Sequence, residues 1–280
     1  MLSQQKARSY ERGGIGTLKN RIRVGFIMPE VFHGGAETQF RILIENMNPE
    51  RFAVSVFVEQ SYGGNDRRRS QSWISSHPNI RFILLAGLSG TSHPLAAARL
   101  VLQLLPHLRR REFDCVVVYS GLALRLTPLL RIFGVYTVYS ERNSGSYSRC
   151  KLLAKRPFFA AANTVVCNSA SAVQNFSRYG FSAQLIENAV IQPSKPNKIL
   201  SGRREGLTLL VPGRIVPLKN QLLVLRALPL IDSLVSRVVL AGAYENPDYL
   251  EELKRAVAQL PHKASVEFVG HVDDMDVLYS

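Results

Sequence analysis

The stretch RIRVGFIMPEVFHGGAETQFRILIENM, residues 21–47, decides the fold class. It opens with an apolar run typical of a buried strand, turns at two adjacent glycines, and ends with apolar residues at helical spacing. We therefore predict a strand at Arg21–Met28 and a helix from about Ala36 to Met47. A strand followed directly by a helix is the unit from which parallel α/β sheets are built.

The same alternation continues along the chain. Further strands are predicted at 52–59, 80–85, 115–119, 135–139 and 164–167, and further helices at 94–110, 122–133, 150–162 and 169–179. It then restarts, with strands at 207–211, 237–241 and 265–269 and helices at 217–230 and 247–260. This pattern predicts an α/β protein with two Rossmann-type parallel sheets, each covered by helices on its faces.

Composition indicates where the two domains meet. Residues 191–206 contain two prolines and few apolar side chains, which is typical of a linker. We predict a flexible arm at 1–21, a first domain at 22–190, that linker, and a second domain at 207–280. Because the second domain has only three predicted strands, we expect it to be incomplete; a small complete domain is the alternative.

Charge is distributed unevenly between these domains. The 280 residues carry a net charge of +14, with 24 Lys and Arg against 11 Asp and Glu in residues 1–190 and 11 against 10 in residues 191–280. A basic surface attracts polyanions, either nucleic acid or anionic lipid. The sequence lacks zinc-ligand spacing and basic strands interleaved with aromatic residues, so we expect no specific nucleic-acid binding and allow for peripheral contact with an anionic membrane.

Targeting signals and cysteines point to a reduced compartment. The N-terminal residues MLSQQKARSYERGGIG contain no apolar core of a secretory signal, and no stretch approaches 18 uncharged apolar residues. Three cysteines without a C-x-x-C pair predict neither a disulfide framework nor a metal site. We therefore expect a cytoplasmic protein.

The glycine turn after the first strand is the first candidate site. In Gly34-Gly35-Ala36-Glu37, glycines would let the backbone approach a ligand, and unsatisfied N–H groups at a helix start favour phosphate. The alternative is a tight turn in which Glu37 only complements the helix dipole.

A second candidate site is the segment VPGRIVPLKN, residues 211–220. It follows the first strand of the second domain, so Arg214 and Lys219 would lie at the edge where α/β sheets bind ligands. Two cations there suit a diphosphate whose negative charge grows as a bond to it breaks. A solvated basic loop is the alternative.

Five short motifs, taken together, resemble successive landmarks of the GT4 (group 1) glycosyltransferases. They are Gly34-Gly35-Ala36-Glu37, Asn168-Ser169, Ile186-Glu187-Asn188-Ala189-Val190, Gly213-Arg214 with Lys219-Asn220, and Val266-Glu267-Phe268-Val269-Gly270. The resemblance covers residues 22–280. It implies a GT-B fold, in which two Rossmann-like domains face across a cleft, the second binding a nucleotide sugar and the first binding the acceptor.

The resemblance also implies roles for individual residues. Arg214 and Lys219 would be catalytic, since they would hold the donor diphosphate and stabilise it as a leaving group. The other residues implied at the diphosphate are Gly34, Gly35, Gly213 and Asn220. The donor would be a UDP- or GDP-linked sugar used as a substrate, and neither a cofactor nor a metal is implied.

Acceptor contacts are implied by a third segment. Ser140-Glu141-Arg142-Asn143 resembles the Ser-Glu-Arg segment of some polysaccharide-assembly members, which would place Glu141 and Arg142 at the acceptor. Tyr119 stands where many members carry a histidine near the donor sugar; it can hydrogen-bond a sugar hydroxyl but cannot become a cation. The family's E-x7-E motif normally lies beyond the V-x-F-x-G strand, and this sequence ends before that place, so we expect the chain to be truncated.

The resemblance implies a retaining hexosyl- or N-acetylhexosaminyltransferase. It would act on a glycan or lipid-linked glycan in cell-surface polysaccharide synthesis, in the cytoplasm or at the inner face of the cytoplasmic membrane. Two alternatives stay open. One is a GT-B-fold nucleotide-sugar epimerase, and the other is an inactive protein that binds membrane or glycan.

Overall fold

The computed structural model describes residues 21–28, 35–59, 73, 75–86, 93–119, 121–191, 206–231, 234–261, 265–272 and 278. The chain divides into two compact units, which we call unit 1 (residues 1–191) and unit 2 (residues 192–280). Most of the predicted linker, at 192–205, lies outside the described residues.

Unit 1 contains a parallel sheet of seven strands. They are β1 (Ile22–Ile27), β2 (Phe52–Glu59), β3 (Arg81–Leu85), β4 (Cys115–Val118), β5 (Tyr136–Glu141), β6 (Thr164–Cys167) and β7 (Gln184–Leu185), in the order β3-β2-β1-β4-β5-β6-β7. The order reverses at β1, whose Ile27 is in register with Phe57 on one side and Val118 on the other. This is the Rossmann arrangement, and it confirms the predicted α/β fold class.

Helices cover both faces of this sheet. They are α1 (Gly35–Glu45), α2 (His93–Arg109), α3 (Gly121–Leu124), α4 (Thr127–Ile132), α5 (Arg149–Ala161) and α6 (Ala170–Arg178). Alternate residues of β1 enter different cores because side chains of a strand point to opposite faces. Phe26 packs with Phe40 of α1, whereas Ile27 belongs to the core that contains Leu100 and Leu104 of α2.

One predicted helix of unit 1, at 122–133, is divided into α3 and α4. Pro128 explains the break, since proline lacks an N–H and its ring clashes with the carbonyl four residues earlier, here that of Leu124. The oxygen of the buried Thr127 hydroxyl lies 2.9 Å from the Leu124 carbonyl oxygen and 2.6 Å from that of Phe158, and either can accept its one proton. The prediction of a single helix was therefore wrong.

Unit 2 has a parallel sheet of three described strands, β8 (Leu207–Pro212), β9 (Val235–Ala241) and β10 (Ser265–Gly270), in the order β10-β9-β8. Its helices are α7 (Gln221–Ala227) and α8 (Pro247–Ala258), with short 3-10 helices at Pro217–Lys219 and Leu228–Leu230. A continuous helix at 217–230 was predicted and is not formed. The reason is that Asn220 adopts a left-handed conformation (φ 50°) and Pro229 ends the helical hydrogen bonding.

Within the described parts of the chain, no helix has both the length and the apolar character needed to cross a bilayer.

Candidate functional site

Unit 2 carries a loop at the carboxyl end of β8, residues 213–220, which we call the cation loop. Gly213 opens it with φ 144°, a conformation that residues with a side chain rarely adopt. The loop passes very close to Gly242 after β9: a Cβ on Gly242 would lie 1.9 Å from the Gly213 carbonyl oxygen. Glycine at both positions lets the two backbones meet at the sheet edge where α/β folds bind ligands.

The backbone of Arg214 is held by a hydrogen bond, while its side chain is exposed. The buried Gln221 donates from Nε2 to the Arg214 carbonyl oxygen at 2.9 Å. The Arg214 guanidinium donates to Glu245 Oε2, also at 2.9 Å, and both side chains are nearly half exposed. Because exposed ion pairs contribute little free energy, Arg214 can exchange Glu245 for another anion at small cost.

Lys219 and Asn220 complete the cation loop. Lys219 ends the first 3-10 helix, and its Cδ passes 3.9 Å from where a Cβ on Gly213 would be. Among the described residues no carboxylate forms an ion pair with Lys219, and its side chain is exposed. The structure thus brings Gly213, Arg214 and Lys219 together in one loop, with Asn220 at its end.

Sequence reasoning did not find Glu245 or Gly242. Glu245 is 31 residues from Arg214 along the chain, yet the two loops meet because β8 and β9 are parallel neighbours. The signal was available: Gly242 and Glu245 follow the second strand of unit 2 as Gly213 and Arg214 follow the first.

The glycine turn of unit 1 is described only in part. Gly34 lies outside the described residues, and Gly35 is the exposed first residue of α1. A Cβ on Gly35 would meet no described atom within 4 Å. Nearby, the Gln39 side chain exchanges two hydrogen bonds with the Ala189 backbone (2.8 and 2.7 Å), which holds the motif Ile186–Val190 against α1.

Tyr119 and Arg142 contact each other beyond β4 and β5. The Arg142 guanidinium carbon lies 5.8 Å from the centroid of the Tyr119 ring, within reach of a cation–π interaction. Burial raises the pKa of Tyr119 to about 12, partly opposed by the charge of Arg142. Arg142 Nε has no hydrogen-bond partner among the described residues. Both side chains line a mainly apolar cavity of about 250 Å³.

The position of Glu141 in the fold differs from the prediction. Glu141 was placed after the fifth strand, but it is the last residue of β5, because pairing with Cys167 of β6 continues to that position. Only 1% of it is exposed. Its carboxylate accepts hydrogen bonds from the Tyr139 hydroxyl (3.1 Å), the Tyr147 hydroxyl and the Asn143 amide (3.0 Å). Burial and this carboxylate raise the pKa of both tyrosines.

A second cavity of unit 1, about 730 Å³ in volume, is lined by Tyr119, Glu141 and three cations. The cations are Arg125, Lys151 and Lys155, and we call this space the basic cavity. Tyr119 therefore borders both cavities, while Glu141 and Arg142 border one each, so the structure gathers the three candidate acceptor residues at one sheet edge. Sequence reasoning missed the lysines, although their spacing of four residues in a predicted helix indicates one shared face.

The three cysteines of the sequence all lie in unit 1. Cys115, Cys150 and Cys167 are all free thiols. Burial raises the pKa of Cys115 and of Cys167 to about 11, which disfavours their thiolates. In the described part of the chain, no group of three or more His, Cys, Asp or Glu side chains is placed to hold a metal ion.

Solved structures with a similar fold include a synthase, a galactosyltransferase and an epimerase. Sucrose-phosphate synthase from Thermosynechococcus elongatus has a TM-score of 0.67 at 16% identity, covering 93% of this chain and 73% of its own. The lipopolysaccharide outer core galactosyltransferase WaaB has a TM-score of 0.61 at 14% identity, covering 90% of this chain and 69% of its own. A UDP-N-acetylglucosamine 2-epimerase has a TM-score of 0.57 at 10% identity, covering 92% of this chain and 71% of its own. At these identities the likeness shows the fold alone, which is the predicted GT-B fold.

Sequence comparison identifies the family. No curated protein matches the chain in sequence. The profile of the glycosyl transferase 4-like domain matches residues 34–188, which is more than half of the chain. That range runs from the glycine turn through both cavities to the Ile186–Val190 motif, and it confirms the resemblance to GT4 enzymes. The chain therefore belongs to the glycosyl transferase 4-like family.

Proposed function

We propose that this protein is a retaining glycosyltransferase that moves a sugar from a UDP- or GDP-linked donor to a glycan or lipid-linked glycan in cell-surface polysaccharide synthesis. Family membership supports transfer of a sugar. The observation that carries the donor assignment is the cation loop: glycine backbone, Arg214 and Lys219 converge at the carboxyl edge of a parallel sheet. A diphosphate is the donor group that this combination fits.

In the proposed reaction, the bond between the anomeric carbon and a diphosphate oxygen breaks. A bond from the acceptor oxygen forms on the same face of the sugar, and the acceptor proton passes to the departing phosphate. Arg214 leaves Glu245 to pair with the diphosphate, and Lys219 adds a second positive charge. Both cations act most strongly once the leaving group carries its full charge, so they lower the barrier rather than only binding the donor.

The proposed acceptor contacts lie in unit 1. Tyr119, with its raised pKa, keeps its hydroxyl proton at neutral pH and can donate it to a sugar hydroxyl. Arg142 supplies a charged group beside that ring, and both side chains line the same cavity. Glu141 is buried within its own hydrogen bonds and would act by positioning Tyr147 and the Asn143 amide.

The test is release of nucleoside diphosphate from a panel of UDP- and GDP-sugars, with and without glycan acceptors. Arg214→Ala and Lys219→Ala should each lower the release rate by about a hundredfold or more, the typical cost of removing a group that stabilises developing charge. Lys254→Ala is the matched control, because Lys254 is an exposed lysine of unit 2 that pairs with Glu251. Equal rates in all four proteins would overturn the proposal, and no release from any of them would favour an inactive binding protein.

A nucleotide-sugar epimerase is the second candidate, favoured by the structural likeness to a UDP-N-acetylglucosamine 2-epimerase. An epimerase would convert the donor sugar without any acceptor. Chromatography of the sugar nucleotide after incubation with donor alone separates the two activities. Recovery of an epimerised sugar nucleotide would replace the transferase proposal.

We also propose peripheral contact with an anionic membrane at the inner face of the cytoplasmic membrane. It is supported by the basic character of residues 1–190 and by an exposed face of α2, where Leu95 and Leu102 are 59% and 67% exposed beside Arg99 and Arg109. Such a face suits the boundary between headgroups and acyl chains. Sedimentation with vesicles should increase with anionic lipid content, and binding that does not depend on that content would contradict this.

A further inference from the structure

The basic cavity of unit 1 has a concentration of positive charge that the proposed donor chemistry does not use. Lys151 and Lys155 lie four residues apart on α5 and so share one face of that helix. Arg125 comes from the turn between α3 and α4. Lys155 Nζ lies near the start of α3, 3.9 Å from where a Cβ on Gly121 would be. Cations from two separate segments therefore line one space of about 730 Å³.

The carboxylate that lines the cavity does not balance these charges. Glu141 accepts hydrogen bonds from two tyrosine hydroxyls and one backbone amide, so most of its hydrogen-bonding capacity is used within the wall. Within the described residues, Lys155 makes no ion pair, and its Nζ lies 4.3 Å from the centroid of the Tyr147 ring. One engaged carboxylate thus faces three cations.

The pKa of Lys155 reflects this imbalance of charge. Its pKa is lowered chiefly by burial; Glu141 acts in the opposite direction, and Lys151 and Arg125 lower it further. A half-buried ammonium group without a full counter-charge is costly, and an anion that enters the cavity relieves that cost. The walls also include the rings of Tyr139, Tyr147 and Phe158, beside which a sugar ring or an apolar chain can pack.

We propose that the basic cavity binds a phosphate or diphosphate group against Lys155, Lys151 and Arg125. Resting on the proposed function, this group belongs to the acceptor, which is therefore a phosphorylated sugar or an isoprenoid-diphosphate-linked glycan. The volume accommodates such a group together with one ring, in the usual range of small-molecule sites.

Lysine acetylation read by peptide mass spectrometry tests the site directly. Inorganic pyrophosphate is titrated into the full chain at constant ionic strength, and acetylation is read at Lys151, Lys155, Lys219 and Lys254. At a concentration twice the dissociation constant, acetylation of Lys155 and Lys151 should fall about threefold, since only a third of the sites remain empty. Protection of Lys155 no greater than that of Lys254, or equal protection by sodium chloride, would overturn the proposal.

Two variants strengthen this test. Lys155→Gln should weaken pyrophosphate binding at the basic cavity about tenfold, read as loss of protection at Lys151, because it removes one charge-assisted hydrogen bond. Lys254→Gln, at an exposed position in unit 2, should leave that protection unchanged. Protection of Lys219 by UDP reports the cation loop separately and should be the same in both variants. Unchanged protection of Lys151 in Lys155→Gln would contradict the proposed ligands.

The two possible sources of the anion are separated by a comparison of ligands. Stronger protection by farnesyl diphosphate than by pyrophosphate assigns an isoprenoid-linked acceptor, and stronger protection by glucose 6-phosphate than by phosphate assigns a phosphorylated sugar. Failure of this inference is distinguishable from failure of the proposed function. If transfer occurs but no phosphate compound protects Lys155, the inference alone falls. If Lys155 is protected but no donor is turned over, the proposed function and the acceptor assignment fall, and the anion site in the basic cavity stands.

Discussion

Gly242 offers a sharp test of how unit 2 builds the cation loop. In Gly242→Ala, the added methyl group would lie 1.9 Å from the Gly213 carbonyl oxygen, 2.4 Å from its carbonyl carbon and 2.9 Å from the Arg214 amide nitrogen. All three neighbours are backbone atoms, so no side-chain rotation relieves the clash. The two backbones must separate by more than about 1 Å to reach ordinary van der Waals contact.

The expected loss of stability follows from the hydrogen bonds where the backbones after β8 and β9 meet. The Gly213 amide donates to Ala241 (2.8 Å), the Ile215 amide to Ala243 (2.9 Å), and the Gly242 amide to Gly270 (2.7 Å). Losing two of these bonds costs about 2 kcal/mol, and overpacking typically adds about 1 to 3 kcal/mol. We therefore expect unit 2 to lose about 3 to 5 kcal/mol of its free energy of unfolding.

Hydrogen exchange with mass spectrometry is the assay, because Trp73, the single tryptophan, lies in unit 1 and does not report on unit 2. A loss of about 3 kcal/mol should accelerate exchange of the protected amides in β8 and β9 by roughly a hundredfold. Peptides from β1 and β4 should be unaffected. Release of nucleoside diphosphate should fall as well, since Arg214 moves with the loop.

Gly180→Ala is the matched control. Gly180 has a left-handed backbone (φ 80°), which Gly242 lacks, but a Cβ on Gly180 would meet no described atom within 4 Å. Gly180→Ala should lower the free energy of unfolding by about 1 kcal/mol, because it adds backbone strain alone, and this loss should be confined to unit 1. If exchange in β8 and β9 of Gly242→Ala stays within about twofold of the parent protein, the close crossing is refuted as the reason for glycine.

Two further predictions concern unit 1, both measured by urea unfolding followed through Trp73 fluorescence. Glu141→Gln replaces one buried acceptor oxygen by an NH2 group, so it should cost about 2 to 3 kcal/mol, and a loss below about 0.5 kcal/mol would contradict the observed hydrogen bonds. The pKa of Asp114 is lowered below its usual 3.8, chiefly by the side-chain hydrogen bond from Arg23. The pairing therefore stabilises the fold above pH 3.8, and this stabilisation is lost as the pH falls through the lower pKa that Asp114 has in the folded protein. Asp114→Asn should therefore make the fall of the urea midpoint below about pH 4 shallower, and an unchanged slope would show that this pair does not contribute.

Much of the fold could be predicted from local pattern. The strands Phe52–Glu59 and Thr164–Cys167 were predicted with the bounds they have, because short β-branched runs bounded by turns suit buried parallel strands. Regular alternation with helices then indicated parallel sheets. The two-residue strand Gln184–Leu185 was missed, since so short a segment carries no periodicity.

Helix continuity could not be predicted from apolar spacing alone. Residues 122–133 and 217–230 both have the spacing of one amphipathic helix, yet Pro128 and Asn220 interrupt them. The break at Asn220 matters for the candidate site, because it places Lys219 at the end of a 3-10 turn beside Gly213 rather than inside a helix.

The sequence by itself determined the fold class, the family and the three segments that hold the candidate site residues, because apolar periodicity and short motifs are local properties of the chain. Only the tertiary structure decided which charged groups meet. Parallel pairing of β8 with β9 brings Glu245 to Arg214, and pairing of β5 with β6 buries Glu141 beside two tyrosines. Such encounters depend on strand register and on side chains from distant segments, which no local pattern records.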